Sequence, residues 1–66
     1  MPAEQWPELV GRTADEAVAV IRRTNPDIVQ VPVVADGSLV TMDFREDRVR
    51  VFTDADDRVT RAPRIG

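Results

Sequence analysis

A chain of 66 residues with neither cysteine nor histidine must fold on side-chain packing alone. Disulfides are excluded, and so is any zinc site built from thiolate or imidazole. A chain this short buries only about 60% of the surface it exposes when unfolded, and small domains often add a cross-link or a metal to compensate. Here one economical core has to suffice, with little room inside for a cofactor or a deep substrate pocket. The expectation is a single domain over residues 1–66, with no cofactor and no metal. A chain without thiols is also indifferent to redox compartment, which leaves its location inside or outside a cell open.

Charge narrows the partners. Twelve acidic residues face nine basic ones, every one of them arginine, for a net charge of -3. Nucleic-acid affinity comes from clustered positive charge, so this balance argues against a nucleic-acid partner. No apolar run approaches the roughly 20 residues of a membrane span. Met1 to Val10 shows no signal-peptide pattern, since it contains Pro, Glu and Gln.

Local patterns divide the chain. Residues 1–11 read as an irregular entry arm in which Trp6 anchors the core, Pro7 prevents a continuous helix and Gly11 permits a turn. Thr13-Ala14-Asp15-Glu16 is a capping box. Asp15 and Glu16 suit the positive end of a helix dipole, and Arg22 and Arg23 the negative end. Ala17, Val20 and Ile21 follow helical spacing, and Asn25-Pro26 ends the run, which predicts a helix over 13–24.

Ile28 to Val34 is rich in branched residues and predicts a strand. Pro32 makes it an edge strand or one with a bulge, because proline cannot donate to a ladder. Arg48-Val49-Arg50-Val51-Phe52 alternates strictly and is the clearest strand in the chain. Asp36-Gly37-Ser38 and Asp54-Ala55-Asp56-Asp57 are turn signals, and Val59 to Ala62 predicts a short final strand. One helix followed by strands gives an α+β fold, the helix covering Val49, Val51 and Val59.

Catalytic chemistry is missing. Without His or Cys the usual nucleophile–base pairs cannot be assembled, and Ser38 has no candidate base beside it. The cluster of Asp54, Asp56 and Asp57 lacks the glycine and terminal glutamate of an EF-hand loop, so it reads as a solvated acidic turn.

What remains is Asp36 to Asp47, a long stretch without core periodicity. In so small a domain, such a loop is the place to look for function. It carries Leu39, Val40, Met42 and Phe44, apolar groups that stand in water without purpose unless something binds them. In the following strand, Arg48, Arg50 and Phe52 point to the face opposite Val49 and Val51. Two guanidiniums on one face require acceptors, and the loop offers Thr41 and Asp43, one on each side of Met42. Arginine–carboxylate pairing is planar and directional, and can fix a loop's shape without a disulfide.

These pieces together resemble the potato inhibitor I family of serine-protease inhibitors. The likeness begins at Trp6-Pro7-Glu8-Leu9-Val10-Gly11 and continues through the capped helix with Ala17 and Ile21. It is most specific over Gly37-Ser38-Leu39-Val40-Thr41-Met42-Asp43-Phe44-Arg45 and Asp47-Arg48-Val49-Arg50-Val51-Phe52. It ends at Val59, Pro63, Arg64, Ile65 and Gly66.

The resemblance implies one helix packed on a small mixed parallel and antiparallel sheet, with a long exposed reactive-site loop at about 37–47. It implies a scissile bond between Met42 and Asp43, with Leu39, Val40, Thr41, Phe44 and Arg45 touching the protease. Arg48 and Arg50 would brace Thr41 and Asp43, with Arg50 the stronger brace or the two equal. The partner implied is a subtilisin-like or chymotrypsin-like serine protease, met by a monomer that acts as a tightly bound, slowly cleaved substrate. Two rival readings use the same loop: a non-inhibitory protein-binding domain, and a module that self-associates through the apolar loop residues.

Overall fold

The computed structural model describes residues 3–66, so the first two residues of the expected entry arm lie outside it. Helix α1 (Ala14–Thr24) is followed by three short strands, β1 (Val33–Ala35), β2 (Val49–Thr53) and β3 (Arg64–Ile65). The fold is α+β, as expected.

The helix begins where its cap was predicted. Thr13 has extended backbone and its hydroxyl accepts from the Glu16 amide at 3.3 Å. Only that half of the capping box forms; the Glu16 carboxylate instead meets the Arg12 guanidinium at 3.5 Å. At the other end the amide of Asn25 donates to the Ile21 carbonyl, and its side-chain amide reaches the Ala3 carbonyl at 2.9 Å. That bond ties the entry arm to the helix terminus. Trp6 is fully buried, and its indole N–H donates to the Thr24 hydroxyl at 2.8 Å. A large apolar ring closes the core while its one polar atom is satisfied.

The arm is less irregular than expected. Pro7–Leu9 forms a 3-10 turn, with proline at a position whose N–H would be orphaned in any case. Gly11 then turns at φ +87, in the left-handed region. Before the turn, Gln5 bridges Arg64 antiparallel, and the Trp6 amide donates to the Pro63 carbonyl at 2.8 Å.

β2 is central, pairing in parallel with β1 (Val33 opposite Val51) and antiparallel with β3 (Val49 opposite Ile65). Its burial alternates, with Val49, Val51 and Thr53 buried and Arg50 and Phe52 half-buried. Val49 and Val51 meet Trp6, Leu9, Ala17, Ile21, Ile28 and Val59 in one apolar core.

Two strand expectations need correction. The segment 28–34 is not a regular strand: the amides of Val29 and Gln30 both donate to the Asp47 carbonyl, at 2.8 and 3.1 Å. Pairing resumes as Gln30 and Pro32 accept from Val49 and Val51, and β1 proper starts after Pro32, at the sheet edge. Proline can still accept, so it sits where only its carbonyl is needed. The final strand is not Val59–Ala62. Val59 makes an isolated bridge to Thr53, and the ladder partner of β2 is Arg64–Ile65. Between them the Asp54 carboxylate accepts from the amides of Asp56 and Arg58, so that acidic turn uses an acid to satisfy its own backbone.

The parallel pairing of β1 with β2 decides where the loop lies. Parallel neighbours cannot be joined by a tight hairpin; they need a crossover of roughly a dozen residues or more. Here no helix fills the crossover, and residues 36–47 run as a loop with a turn at each end, 36–37 and 46–47. No helix among the described residues is long and apolar enough to cross a membrane.

Candidate functional site

The crossover holds its large apolar side chains outward. Leu39 is fully exposed, Met42 is 97% exposed and Phe44 68%, while Val40 is half-buried. A flexible segment with this composition would collapse onto the nearest apolar surface. It is held off the sheet by side chains that rise from the outer face of β2 and the residue just before it.

Arg48, only 8% exposed, is the most enclosed of these. Its Nη2 donates to the Asp43 carbonyl at 2.9 Å, its Nη1 to the Asp43 carboxylate at 3.3 Å and its Nε to the Gly66 carbonyl at 2.8 Å. The guanidinium thus ties the loop to the end of β3 across the sheet. Arg50, two residues further along the same face, donates to the Thr41 hydroxyl at 2.7 Å and lies 3.8 Å from the Asp43 carboxylate. Met42 stands between two residues that are both held, and is itself free.

The charge around Asp43 follows from these contacts. The Thr41 hydroxyl does most to hold its carboxyl below the ordinary value of 3.8; partial desolvation opposes this, and the Asp43 backbone amide and Arg48 add to the lowering. Beyond Asp43, Arg45 meets Asp47 with two parallel bonds of 3.0 and 3.1 Å. That pair lowers the Asp47 carboxyl and raises the Arg45 guanidinium. It closes the loop's exit on itself, and turns the Arg45 head toward its own chain.

At the entrance, the Asp36 amide donates to the Thr53 carbonyl at 2.7 Å and the Ser38 amide to the Ala35 carbonyl at 3.0 Å. Gly37, at φ +86, takes the left-handed position that this turn requires. The Asp36 carboxylate meets Arg61 at 3.2 Å, and the Arg61 guanidinium lies 3.9 Å above the Phe52 ring.

Thr41, Met42, Asp43, Arg48 and Arg50 are therefore brought together, while Leu39 and Phe44 project separately on either side. Sequence reasoning missed the Gly66 carbonyl, which a backbone acceptor cannot announce. It also missed Arg61 and Asp36, read as strand and turn residues. An exposed acid beside a turn glycine, with an unassigned arginine 25 positions on, was the only signal.

Nothing in this arrangement assembles a nucleophile with a base. It presents a stretch of loop fixed at two residues and bare at the one between. Residues 2–66 match the model of the potato inhibitor I family. The chain is 46% identical over 61 residues to subtilisin inhibitor CLSI-I of Canavalia lineata, covering 92% of this chain and 91% of that protein. It is 52% identical over 61 residues to the Glu S. griseus protease inhibitor of Momordica charantia, covering 92% and 88%. Other relatives are longer: the chain spans 54% of wound-induced proteinase inhibitor 1 of Solanum peruvianum and 59% of proteinase inhibitor I-B of Nicotiana tabacum, at 45% and 41% identity over 91% and 96% of this chain. Among solved structures, that of the bitter gourd trypsin inhibitor superposes with a TM-score of 0.94 at 44% identity, covering 100% of this chain and 96% of that one. With the family model matched over nearly its whole length and relatives of this identity, this chain belongs to the potato inhibitor I family.

Proposed function

We propose that this protein inhibits serine proteases of the subtilisin-like or chymotrypsin-like class by offering residues 37–47 as a substrate that is bound tightly and cleaved slowly. It is not an enzyme. The observation that carries this reading is the bare Met42 side chain between Thr41 and Asp43, held by Arg50 of β2 and by Arg48 just before it. Met42 enters the primary specificity pocket, and the Met42–Asp43 peptide bond meets the protease nucleophile. Leu39, Val40, Thr41, Phe44 and Arg45 line the flanking subsites.

Affinity follows from preorganisation. A loop already in its bound shape does not lose ordering entropy on association. An interface of the usual protease–inhibitor size, about 1,600 Å² in total, is within reach of a loop and its rim. Persistence follows from the braces. After attack at Met42, the new amine of Asp43 is held beside the acyl-enzyme by Arg48, so religation competes with water.

The test is titration of active subtilisin and chymotrypsin with the purified protein, followed by mass spectrometry over hours. Stoichiometric loss of activity, with slow appearance of a cut between Met42 and Asp43, is expected. Full retained activity at equimolar inhibitor refutes the proposal.

A further inference from the structure

The two arginine braces act at Thr41 and Asp43, leaving the limb from Gly37 to Val40 to be explained. No proline stiffens it, since the prolines nearest in sequence are Pro32 and Pro63. It contains a glycine, and its Leu39 side chain is fully exposed. Its backbone is tied by the bond from the Ser38 amide to the Ala35 carbonyl. The limb is nevertheless approached from β2. Arg48, Arg50 and Phe52 share one face, each two residues from the next. Arg48 reaches Asp43 and Arg50 reaches Thr41. At the third position Phe52 has no charge to offer, and instead it carries Arg61 on its ring at 3.9 Å, with that guanidinium meeting the Asp36 carboxylate at 3.2 Å.

From this geometry we propose that Asp36, Arg61 and Phe52 form a third anchor of the loop, a clamp at its entrance that orders Gly37–Val40 before any partner arrives. Arg61 and Asp36 are positioning residues: they act on the limb through the Ala35–Ser38 turn. The physical case rests on how the guanidinium is held. An exposed ion pair alone is weak, because two long side chains must be ordered in water. A guanidinium stacked on an aromatic face is already oriented, and its planar fork can then meet a carboxylate with little further loss. Lysine, a flexible point charge, would not serve equally. Both partners are about half exposed, so the clamp adds little to global stability and acts on local loop order. Its effect on inhibition rests on the function proposed above; its existence does not.

The experiment compares the full chain with Arg61→Ala, Asp36→Asn, Arg61→Lys and the reversed pair Asp36→Arg with Arg61→Asp. Two measurements are made at low salt: amide exchange at Ser38 with 15N order parameters for 38–40 in the free protein, and the rate at which catalytic subtilisin cuts Met42–Asp43. Arg61→Ala and Asp36→Asn are each expected to raise Ser38 exchange and the cleavage rate about threefold to tenfold. The melting temperature should stay unchanged. Arg61→Ala combined with Asp36→Asn should be no worse than either single change, the reversed pair, which loses the stacking on Phe52, should not recover the order, and Arg61→Lys should fall between. In 1 M salt the difference should shrink, as screening requires. Unchanged Ser38 exchange and order parameters in Arg61→Ala, or additive effects of the two single changes, overturn the clamp. A loosened limb in a protein that never inhibited subtilisin supports the clamp and counts against the inhibitory reading instead.

Discussion

Arg48 grips Asp43 twice, donating at 2.9 Å to its backbone carbonyl and at 3.3 Å to its carboxylate. A side chain that holds both the backbone and the side chain of one loop residue fixes that residue's orientation as well as its position. Arg48 is also the more buried of the two braces, and it satisfies the Gly66 carbonyl. The structure therefore favours Arg48, rather than Arg50, as the stronger brace. Arg48→Ala should cost about 1–3 kcal/mol of stability, the range for losing hydrogen bonds made by a charged group, and should turn a lasting inhibitor into a faster-cleaved substrate. Arg50→Ala should accelerate cleavage with a smaller change in stability. Urea unfolding and timed mass spectrometry with catalytic subtilisin separate the two effects. Because Arg48 and Asp43 share one interaction, Arg48→Ala with Asp43→Ala should be less than additive.

Specificity should follow Met42. Its long unbranched side chain suits a deep hydrophobic pocket and leaves an acidic, trypsin-like pocket unpaired. Subtilisin and chymotrypsin should be inhibited more strongly than trypsin. Met42→Lys supplies an ammonium for the acidic pocket, and should tighten inhibition of trypsin by about 10- to 100-fold while weakening that of chymotrypsin. Inhibition constants for the three proteases check this, and equal trypsin inhibition by both forms removes Met42 from its assigned role.

The core sets a second limit. Ile21 is fully buried among Trp6, Ala17, Val49 and Val51, so Ile21→Ala should cost about 2–5 kcal/mol. In so small a domain that is comparable to the whole stability. Trp6 fluorescence during urea unfolding reports it directly. At temperatures where the variant is still folded, its inhibition should match the parent.

Acid should loosen the loop. The Asp43 carboxyl is held below its ordinary 3.8 in the folded protein, so its charge favours the braced state. That contribution is fully present above the ordinary value and is lost as pH falls through the lowered one. Between pH 5 and 8 the brace should be indifferent to pH. The carboxyl carbon shift of Asp43, followed by NMR, should show a midpoint below 3.8. Thr41 is the largest single cause of the lowering and Arg48 adds to it, so Thr41→Val and Arg48→Ala should each raise that midpoint.

Some of this was legible from residue order and some was not. The helix was, because Thr13, Asn25 and the spacing of Ala17 and Ile21 act within a few residues of one another. β2 was, because alternation over five residues needs no partner to be visible. β3 was not. Arg64–Ile65 is a strand only because β2 lies on one side and the entry arm on the other, while Val59 and Thr60, with better strand composition, turn away after one bridge. Ile28 to Val31 misled for a related reason: branched residues favour strands, but there the backbone bends to put two amides on the Asp47 carbonyl. In the loop, acceptors for Arg48 and Arg50 could be inferred because like spacing placed them opposite. The pairing of Asp36 with Arg61 joins segments 25 residues apart, and an acid beside a turn glycine does not say which arginine it meets.

The crossover has one more consequence, which concerns what becomes of the molecule once cut. Residues before the Met42–Asp43 bond supply the helix, β1, Trp6, Leu9, Ala17, Ile21 and Ile28. Those after it supply β2, β3, Val49, Val51 and Val59. Every layer of the core and the whole β1–β2 ladder is therefore shared between two pieces, neither of which has an interior of its own. Severed at that bond, the two peptides should stay interlocked, and the separate peptides 1–42 and 43–66 should be unfolded alone and fold each other when mixed.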